Sequence, residues 1–306
     1  WLKPLWIRRQ APPSRASMAG DSDGDSYDEL GPSRGSSSLL RSAAVLLLGL
    51  GAAFCVVGVV GIVGNNGGTP ALAAQWSVSG RSLDRGAGAG DVASRQFLAK
   101  LRVVPWGVLG TQITATAEFA HAAPEPDAAT VVVDPAGLPY IQRFGPSGAG
   151  GASGALYKWL GIAQDTEFPA AVRAGVAHEL DAKFHTYGSK NVIHAVGPDL
   201  NQEQYAGEKR TKVVEDLSKV YRGIFAEFAA CGLQRLRLLP VSSGIFAGEY
   251  RQRLPAITAE AVRAGFAQLD AAEQRRVLGA ASLELCIFME RDHKRFARAF
   301  SSLTDS

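Results

Sequence analysis

Cysteine is scarce in this chain. Cys55, Cys231 and Cys286 are the three it has in 306 residues, and no two stand at a paired spacing. Neither a disulfide framework nor a zinc site is signalled. Each cysteine lies in an apolar stretch, where a free thiol packs as a small hydrophobe. A charge excess of one sign is missing too. The 32 Lys and Arg against 29 Asp and Glu leave a formal net charge of +3. That balance argues against a dedicated nucleic-acid binder and leaves room only for a local basic patch. Of the few histidines, His178, His185 and His194 do not fall at a metal-ligand spacing. Gly188-Ser189-Lys190 lacks the upstream glycine and strand of a P-loop. No nucleophile elbow with partners in Ser–Asp–His order is visible. The length suits one large domain with appendages, or two small ones.

The first methionine is Met18. The basic, proline-containing stretch before it reads as a translated leader or a targeting tail and is set aside for the fold. Residues 1–41 as a whole lack periodicity. Their acidic and then Ser/Gly-rich composition predicts disorder. From Ser42 to Val63 the chain is uncharged and apolar. At about 1.5 Å per residue such a run spans roughly 30 Å, the thickness of a bilayer core. Gly49, Gly51, Gly58 and Gly61 would weaken a soluble helix but are common in membrane helices. The run is read as a single transmembrane helix. A cleaved signal is the alternative, since Ala71-Leu72-Ala73 resembles a cleavage site. Arg34 and Arg41 flank the run, while Arg81 and Arg85 lie farther off. By the positive-inside rule the C-terminal part then sits on the non-cytosolic side of a membrane. Residues 64–95 are Gly/Ser/Ala-rich and read as a linker.

From residue 96 to 306 short apolar runs alternate with helical patterns, which predicts an α/β domain with helices on both faces of a sheet. Strands are expected at Leu101–Val104, Thr130–Val133, Asn191–Val196, Leu236–Leu239 and Leu283–Met289, with a weaker candidate at His178–Phe184. Helices are expected at Gly154–Leu160, Glu167–Val176, Gln204–Cys231, Thr258–Leu269 and Asp292–Phe300. In the longest, Val213, Leu217, Val220, Tyr221, Ile224, Phe225 and Phe228 recur at three- and four-residue spacing. That is a stripe facing a sheet, and Gly232 supplies its stop.

Two loops carry chemistry. Pro240-Val241-Ser242-Ser243-Gly244-Ile245-Phe246-Ala247-Gly248 leaves the apolar run ending at Leu239. Gly148-Ala149-Gly150-Gly151-Ala152-Ser153-Gly154 opens a helix. Small residues let backbone N–H groups converge on a phosphate. Two such loops suggest a cleft for a nucleotide diphosphate; tight turns that need glycine are the bland alternative.

In order and spacing these pieces resemble a macro domain, the module that binds ADP-ribose. The likeness runs from about Leu101 to Leu303. Val192-Ile193-His194-Ala195-Val196-Gly197-Pro198 matches the strand with a His-x-Val-Gly-Pro ending. Gly150 to Gly161 matches the Gly-rich loop and helix, and Pro240 to Gly248 the second phosphate loop. Thr130 to Gly137 matches the Asn-Ala-Ala-Asn element loosely. The resemblance implies a three-layer α/β/α sandwich with a mixed central sheet. It implies one phosphate wall at Gly150, Gly151 and Ala152, and a second at Ser242, Ser243, Gly244, Ile245 and Phe246, with Phe246 near the distal ribose.

The departures concern side chains. Gln112, in Gly110-Thr111-Gln112-Ile113-Thr114, stands where an acidic residue would take the adenine amino group. Asp134 and Gly137 replace the two ribose-contacting asparagines. Ser153 replaces an aspartate that activates or positions water, which makes the family's hydrolysis doubtful, although Asp134 could stand in as base. His194 is expected to pack or bond locally. The resemblance therefore implies ADP-ribose or a related nucleotide as ligand, without catalysis or cofactor. The alternatives are a degenerate macro fold serving as an accessory subunit of a membrane complex and, less favoured, an ADP-ribosyl hydrolase.

Overall fold

The structure, a computed structural model, describes residues 89–304 apart from Glu208. The expected leader, the apolar run Ser42–Val63 and the linker up to residue 88 lie outside the described residues. Among the described residues no helix is long and apolar enough to cross a membrane.

Among the described residues the eight strands are β1 Leu101–Val104, β2 Thr111–Ile113, β3 Phe119–His121, β4 Thr130–Ala136, β5 Ala182–Tyr187, β6 Lys190–Val196, β7 Arg235–Leu238 and β8 Ser282–Cys286. Six of them form one sheet in the order β1-β8-β7-β4-β6-β5. All neighbours are parallel except β5, which runs antiparallel to β6 through the turn at Gly188 and Ser189. The sheet is therefore mixed, as expected. β2 and β3 form a separate antiparallel hairpin.

The central strands are apolar on both sides because helices cover both faces. In β4, Val131 and Val133 belong to one core, while Val132 and Ala136 belong to the other. In β6, Ile193 and Ala195 face the first core, and Val192 and Val196 the second. This alternation is the period of two that a strand imposes.

The first core is roofed by α1 Ala89–Lys100, α4 Arg210–Cys231, α5 Leu254–Ala267, α6 Ala271–Gly279 and α7 Glu290–Thr304. The second lies under α2 Gly151–Leu160 and α3 Ala170–Gly175. The stripe expected on the long helix is buried as read, with Val213, Leu217, Val220, Tyr221, Ile224 and Phe225 all without exposed surface.

Several boundaries differ. The stretch 89–95, read as linker from its small residues, belongs to α1. That helix is packed into the domain: Phe97 is fully buried and stacks on Phe266 at 4.2 Å. Composition alone could not show this, because Gly and Ala fit a linker and a close-packed helix equally well. α4 starts at Arg210 and not at Gln204; Glu203–Tyr205 forms a separate 3-10 turn before it. The weak strand at His178–Phe184 is displaced to Ala182–Tyr187. α6 was not expected. Its signal is Asp270-Ala271-Ala272-Glu273, a capping box in which Asp270 accepts from the amides of Ala272 and Glu273 and Glu273 closes back on Asp270.

α4 and α5 approach closely at Gly265. A Cβ there would lie 2.8 Å from both the Arg222 amide nitrogen and the Ser218 carbonyl oxygen of α4. Backbone atoms cannot yield as a flexible side chain can. Gly265→Ala is therefore expected to cost about 2 kcal/mol of stability, within the range for an overpacked core. Urea denaturation checks this, and an unchanged midpoint refutes it.

Candidate functional site

β4 and β7 are parallel neighbours, in register at Val131 and Leu236. The chain leaving β4 passes to α2 over the second core, whereas the chain leaving β7 passes to α5 over the first. Connections that part to opposite faces open a crevice at the carboxyl ends of the strands, and open α/β sheets bind ligands there. Both loops singled out from the sequence lie at this switch point.

On one side, residues 137–150 lead from β4 into α2. Gly150 is the N-cap, and no side chain caps the helix. Gly148 and Gly151 have φ of 107° and 59°, which glycine adopts without strain. A Cβ on Gly148, Gly150 or Gly151 would meet nothing within 4 Å, so this turn borders open space. The first amides of a helix have no intrahelical acceptor and lie at the positive end of its dipole. Those of Gly151 and Ala152 are thus donors available to an anion.

On the other side, Val241 and Ser242 are buried, while Gly244 and Ile245 are exposed, Ile245 to 77%. Ser242 has a φ of 58° and donates its hydroxyl to the Pro198 carbonyl at 2.7 Å. Gly197 makes this possible, since a Cβ there would lie 2.4 Å from Ser242 Oγ. Ser243 donates its hydroxyl to the Pro240 carbonyl at 2.7 Å. Both hydroxyls therefore shape the loop, leaving its main chain for a ligand. No protein acceptor takes the amide of Ser242 or Gly244 among the described residues.

The segment after β6 clamps this loop from behind. The Leu200 amide donates to the Phe246 carbonyl at 3.0 Å, and the Asn201 side chain donates to the Ile245 carbonyl at 2.9 Å. Tyr250, just beyond, donates to the carbonyls of Tyr205 and Gly207. Tyr205 in turn donates to Asp216 at 2.9 Å, where Lys212 and Lys219 also converge. Burial pushes the Asp216 carboxyl up, but hydrogen bonds from Lys212, Lys219 and Tyr205 outweigh it and hold it below 3.8.

Beneath the first loop lies a cluster that was not foreseen. Asp134 and His194 face each other across β4 and β6, on the side covered by α2. Ser153 and Tyr157, four residues apart on α2, point down onto them. Ser153 donates to Asp134 Oδ1 at 2.7 Å, Tyr157 to Oδ2 at 2.8 Å, and His194 Nδ1 lies 2.8 Å from Oδ2. Tyr187 of β5 lies 3.1 Å from His194 Nε2. Asp134 and His194 have no exposed surface. Burial first, and then the Asp134 charge, drive the Tyr157 phenol far above its ordinary value, so it stays protonated. His194 bonds locally, as expected.

Asp134 needs a correction. Read from the sequence as a ligand contact, it is turned into the core, with both oxygens occupied. Its place in β4 decides this, because it shares the face of Val132 and Ala136 under α2. The partners that hold it come from α2 and β6, and no spacing in the sequence links them.

Gln112 lies in the β2–β3 hairpin opposite Ala120. The hairpin joins the chain just beyond β8: Ile113 bridges Met289, and its amide donates to the Phe288 carbonyl at 2.9 Å. Gln112 is thus carried to the carboxyl end of the sheet. Phe119, opposite Ile113 and 64% exposed, packs edge-on against Phe288 at 5.8 Å. The described residues hold no group of His, Cys, Asp and Glu placed to bind a metal. Burial pushes the Cys286 and Cys231 thiols up, which fits unreactive packing groups.

No family model matches the sequence, and no curated protein matches it. Among solved structures, the chain is similar to an Oceanobacillus iheyensis macrodomain with ADP, at 18% identity and a TM-score of 0.43 over 67% of this chain and 92% of that one. A Trypanosoma brucei macrodomain in complex with ADP gives 16% identity and 0.41 over 67% and 70%. An alphavirus P23pro-zbd structure gives 15% identity and 0.43 over 68% of this chain, which spans only 24% of the viral one. These are likenesses of chain trace, at identities that transfer no residue roles.

Two outcomes follow from the buried groups. Asp134→Ala leaves three inward-facing groups without their acceptor and is expected to cost about 3 kcal/mol or more. A loss below about 1 kcal/mol in urea denaturation would show that the cluster does not hold the fold. For Asp216, a carboxyl held low when folded adds stability above its unfolded value of 3.8. That contribution is lost as pH falls through 3.8 and below. Asp216→Asn should therefore narrow the stability gap between pH 7 and pH 3, measured by thermal unfolding.

Proposed function

We propose that this chain is a macro-type module that binds ADP-ribose or a related nucleotide diphosphate in the crevice between α2 and the loop after β7, without hydrolysing it. The observation that carries the reading is the switch point at β4 and β7. There the uncapped amides of Gly151 and Ala152 and those of Ser242 and Gly244 stand at the ends of neighbouring strands. Donors from two walls suit a ligand with two linked phosphates. In this reading Gly150, Gly151 and Ala152 form one wall, and Ser242, Ser243, Gly244, Ile245 and Phe246 the other. Gln112 reads the base by hydrogen bonding. The sequence likeness to the macro pattern supports the choice of ligand. Absence of hydrolysis is favoured because Ser153 replaces the water-activating carboxylate and Asp134 has no exposed surface and both oxygens already bonded, which keeps it from a water beside the ligand.

Attachment to a membrane through Ser42–Val63 belongs to the same proposal and rests on the apolar run alone. A second reading, an accessory subunit of a membrane complex that has lost its ligand, draws on the side-chain changes at Gln112, Asp134 and Gly137.

Calorimetric titration of ADP-ribose into the protein separates the two. Micromolar binding is expected, and silence at millimolar ligand sinks the binding proposal. Gly150→Asp provides the control. It places a carboxylate at an N-cap with open space, where it takes the helix amides itself. ADP-ribose affinity should fall more than tenfold while the melting temperature holds or rises. Undiminished binding would move the ligand away from α2.

A further inference from the structure

We propose that Asn201 and Arg251, two side chains from outside the loop after β7, are positioning residues for that loop's main chain: each holds one carbonyl back and thereby turns the next amide towards the crevice. The inference rests on the reading of the crevice as a phosphate site and adds what that reading leaves open, the groups that decide which way this wall presents its peptide dipoles.

A trans peptide is planar, and its C=O and N–H point in opposite directions. A donor that fixes a carbonyl therefore also fixes the amide of the following residue. Arg251 donates to the Gly244 carbonyl at 3.0 Å, and Asn201 to the Ile245 carbonyl at 2.9 Å. The Leu200 amide takes the next carbonyl, that of Phe246, at 3.0 Å. Three successive oxygens are thus held by donors of the protein. The amides of Ile245 and Phe246 must then point away from Arg251 and Asn201, and neither has a protein acceptor among the described residues. Nor have those of Ser242, Ser243 and Gly244, so five successive N–H groups lack one. A Cβ on Gly244 would meet nothing within 4 Å, so the loop borders open space. A row of amides beside open space is the arrangement that takes an anion.

The sense of both bonds is set by chemistry. A guanidinium has only donors. The Asn201 side chain has a donor end and an acceptor end, and its NH2 also lies 2.6 Å from Asp199 Oδ1. Both neighbours accept, so the NH2 faces them. The same Asp199 oxygen accepts from the Asn201 main-chain amide at 3.0 Å, which ties the pair together. Gly248 lets the two segments meet: at its φ of 51° a Cβ would lie 2.3 Å from the Leu200 carbonyl oxygen. Asn201 and Arg251 are exposed, so their truncation opens no cavity in the core. Without these donors the peptides of a loop of small residues are free to turn over. A carbonyl turned to the crevice then repels a phosphate.

The test is calorimetry with ADP-ribose on Asn201→Ala and Arg251→Ala, joined to hydrogen exchange of the segment from Ser242 to Phe246 with ligand saturating in each protein. In each variant affinity should fall about fivefold or more, the worth of one hydrogen bond. Asn201 is uncharged, so its variant separates peptide orientation from loss of positive charge. In wild-type protein ADP-ribose should slow exchange across the segment, and in each variant fewer of these amides should be protected even at saturation. A residue that serves only the fold would lower affinity without changing which amides the bound ligand covers. Thermal unfolding monitors the fold. The two bonds act on separate peptides, so if one variant does not fold the other decides alone. Unchanged affinity in the folded variants, or an unchanged protection pattern at saturation, overturns the inference and leaves the phosphate site standing. Failure of wild-type protein to bind ADP-ribose overturns the site and the inference together.

Discussion

The Asp134 carboxylate is the constraint on which the rest of the site depends. It sits in the middle of the sheet with no exposed surface, where an unpaired charge would cost several kcal/mol. It is tolerated because β4, β5, β6 and α2 each contribute to its cluster: Asp134 itself, Tyr187 behind the imidazole, His194, and Ser153 with Tyr157. The same bonds draw the first turn of α2 onto the end of β4. A loop of small residues has little packing of its own to hold it. Here its position is fixed by a buried polar cluster below it.

The second loop is held by different means. Its hydroxyls and carbonyls are used by Pro198, Leu200, Asn201 and its own Pro240, and Tyr205, Asp216 and Tyr250 brace the segment behind it. In both loops side chains share in the positioning, and the first turn of α2 has no side-chain cap while the amides of Ser242 and Gly244 have no protein acceptor among the described residues. Such a division suits a diphosphate, whose charge is met by rows of N–H groups more readily than by mobile lysines.

Much of the fold is legible in the sequence. The buried strands show as short apolar runs, and α4 as an unbroken stripe at helical spacing, because burial on both faces or along one stripe leaves its period in the residues. The two loops show because glycine and serine cluster where backbone must turn sharply or stay accessible. Less legible are α1, whose small residues imitate a linker, and the β2–β3 hairpin, whose strands are too short to hold a pattern. The capping box that opens α6 is present in the sequence and is a signal that reading by periodicity passes over.

Sequence by itself determined the alternation of strands and helices and the small-residue loops where the backbone turns sharply. These are local properties, set by side-chain period and by the freedom of glycine. Tertiary structure decided what Asp134, Ser153 and His194 do. Residues far apart in the chain become partners only when β4 and β6 align and α2 lies across them, so the direction in which Asp134 faces follows from strand register and not from its neighbours in sequence. The first loop therefore lies above a charge buried out of a ligand's reach, and that charge decides which way the Ser153 proton points.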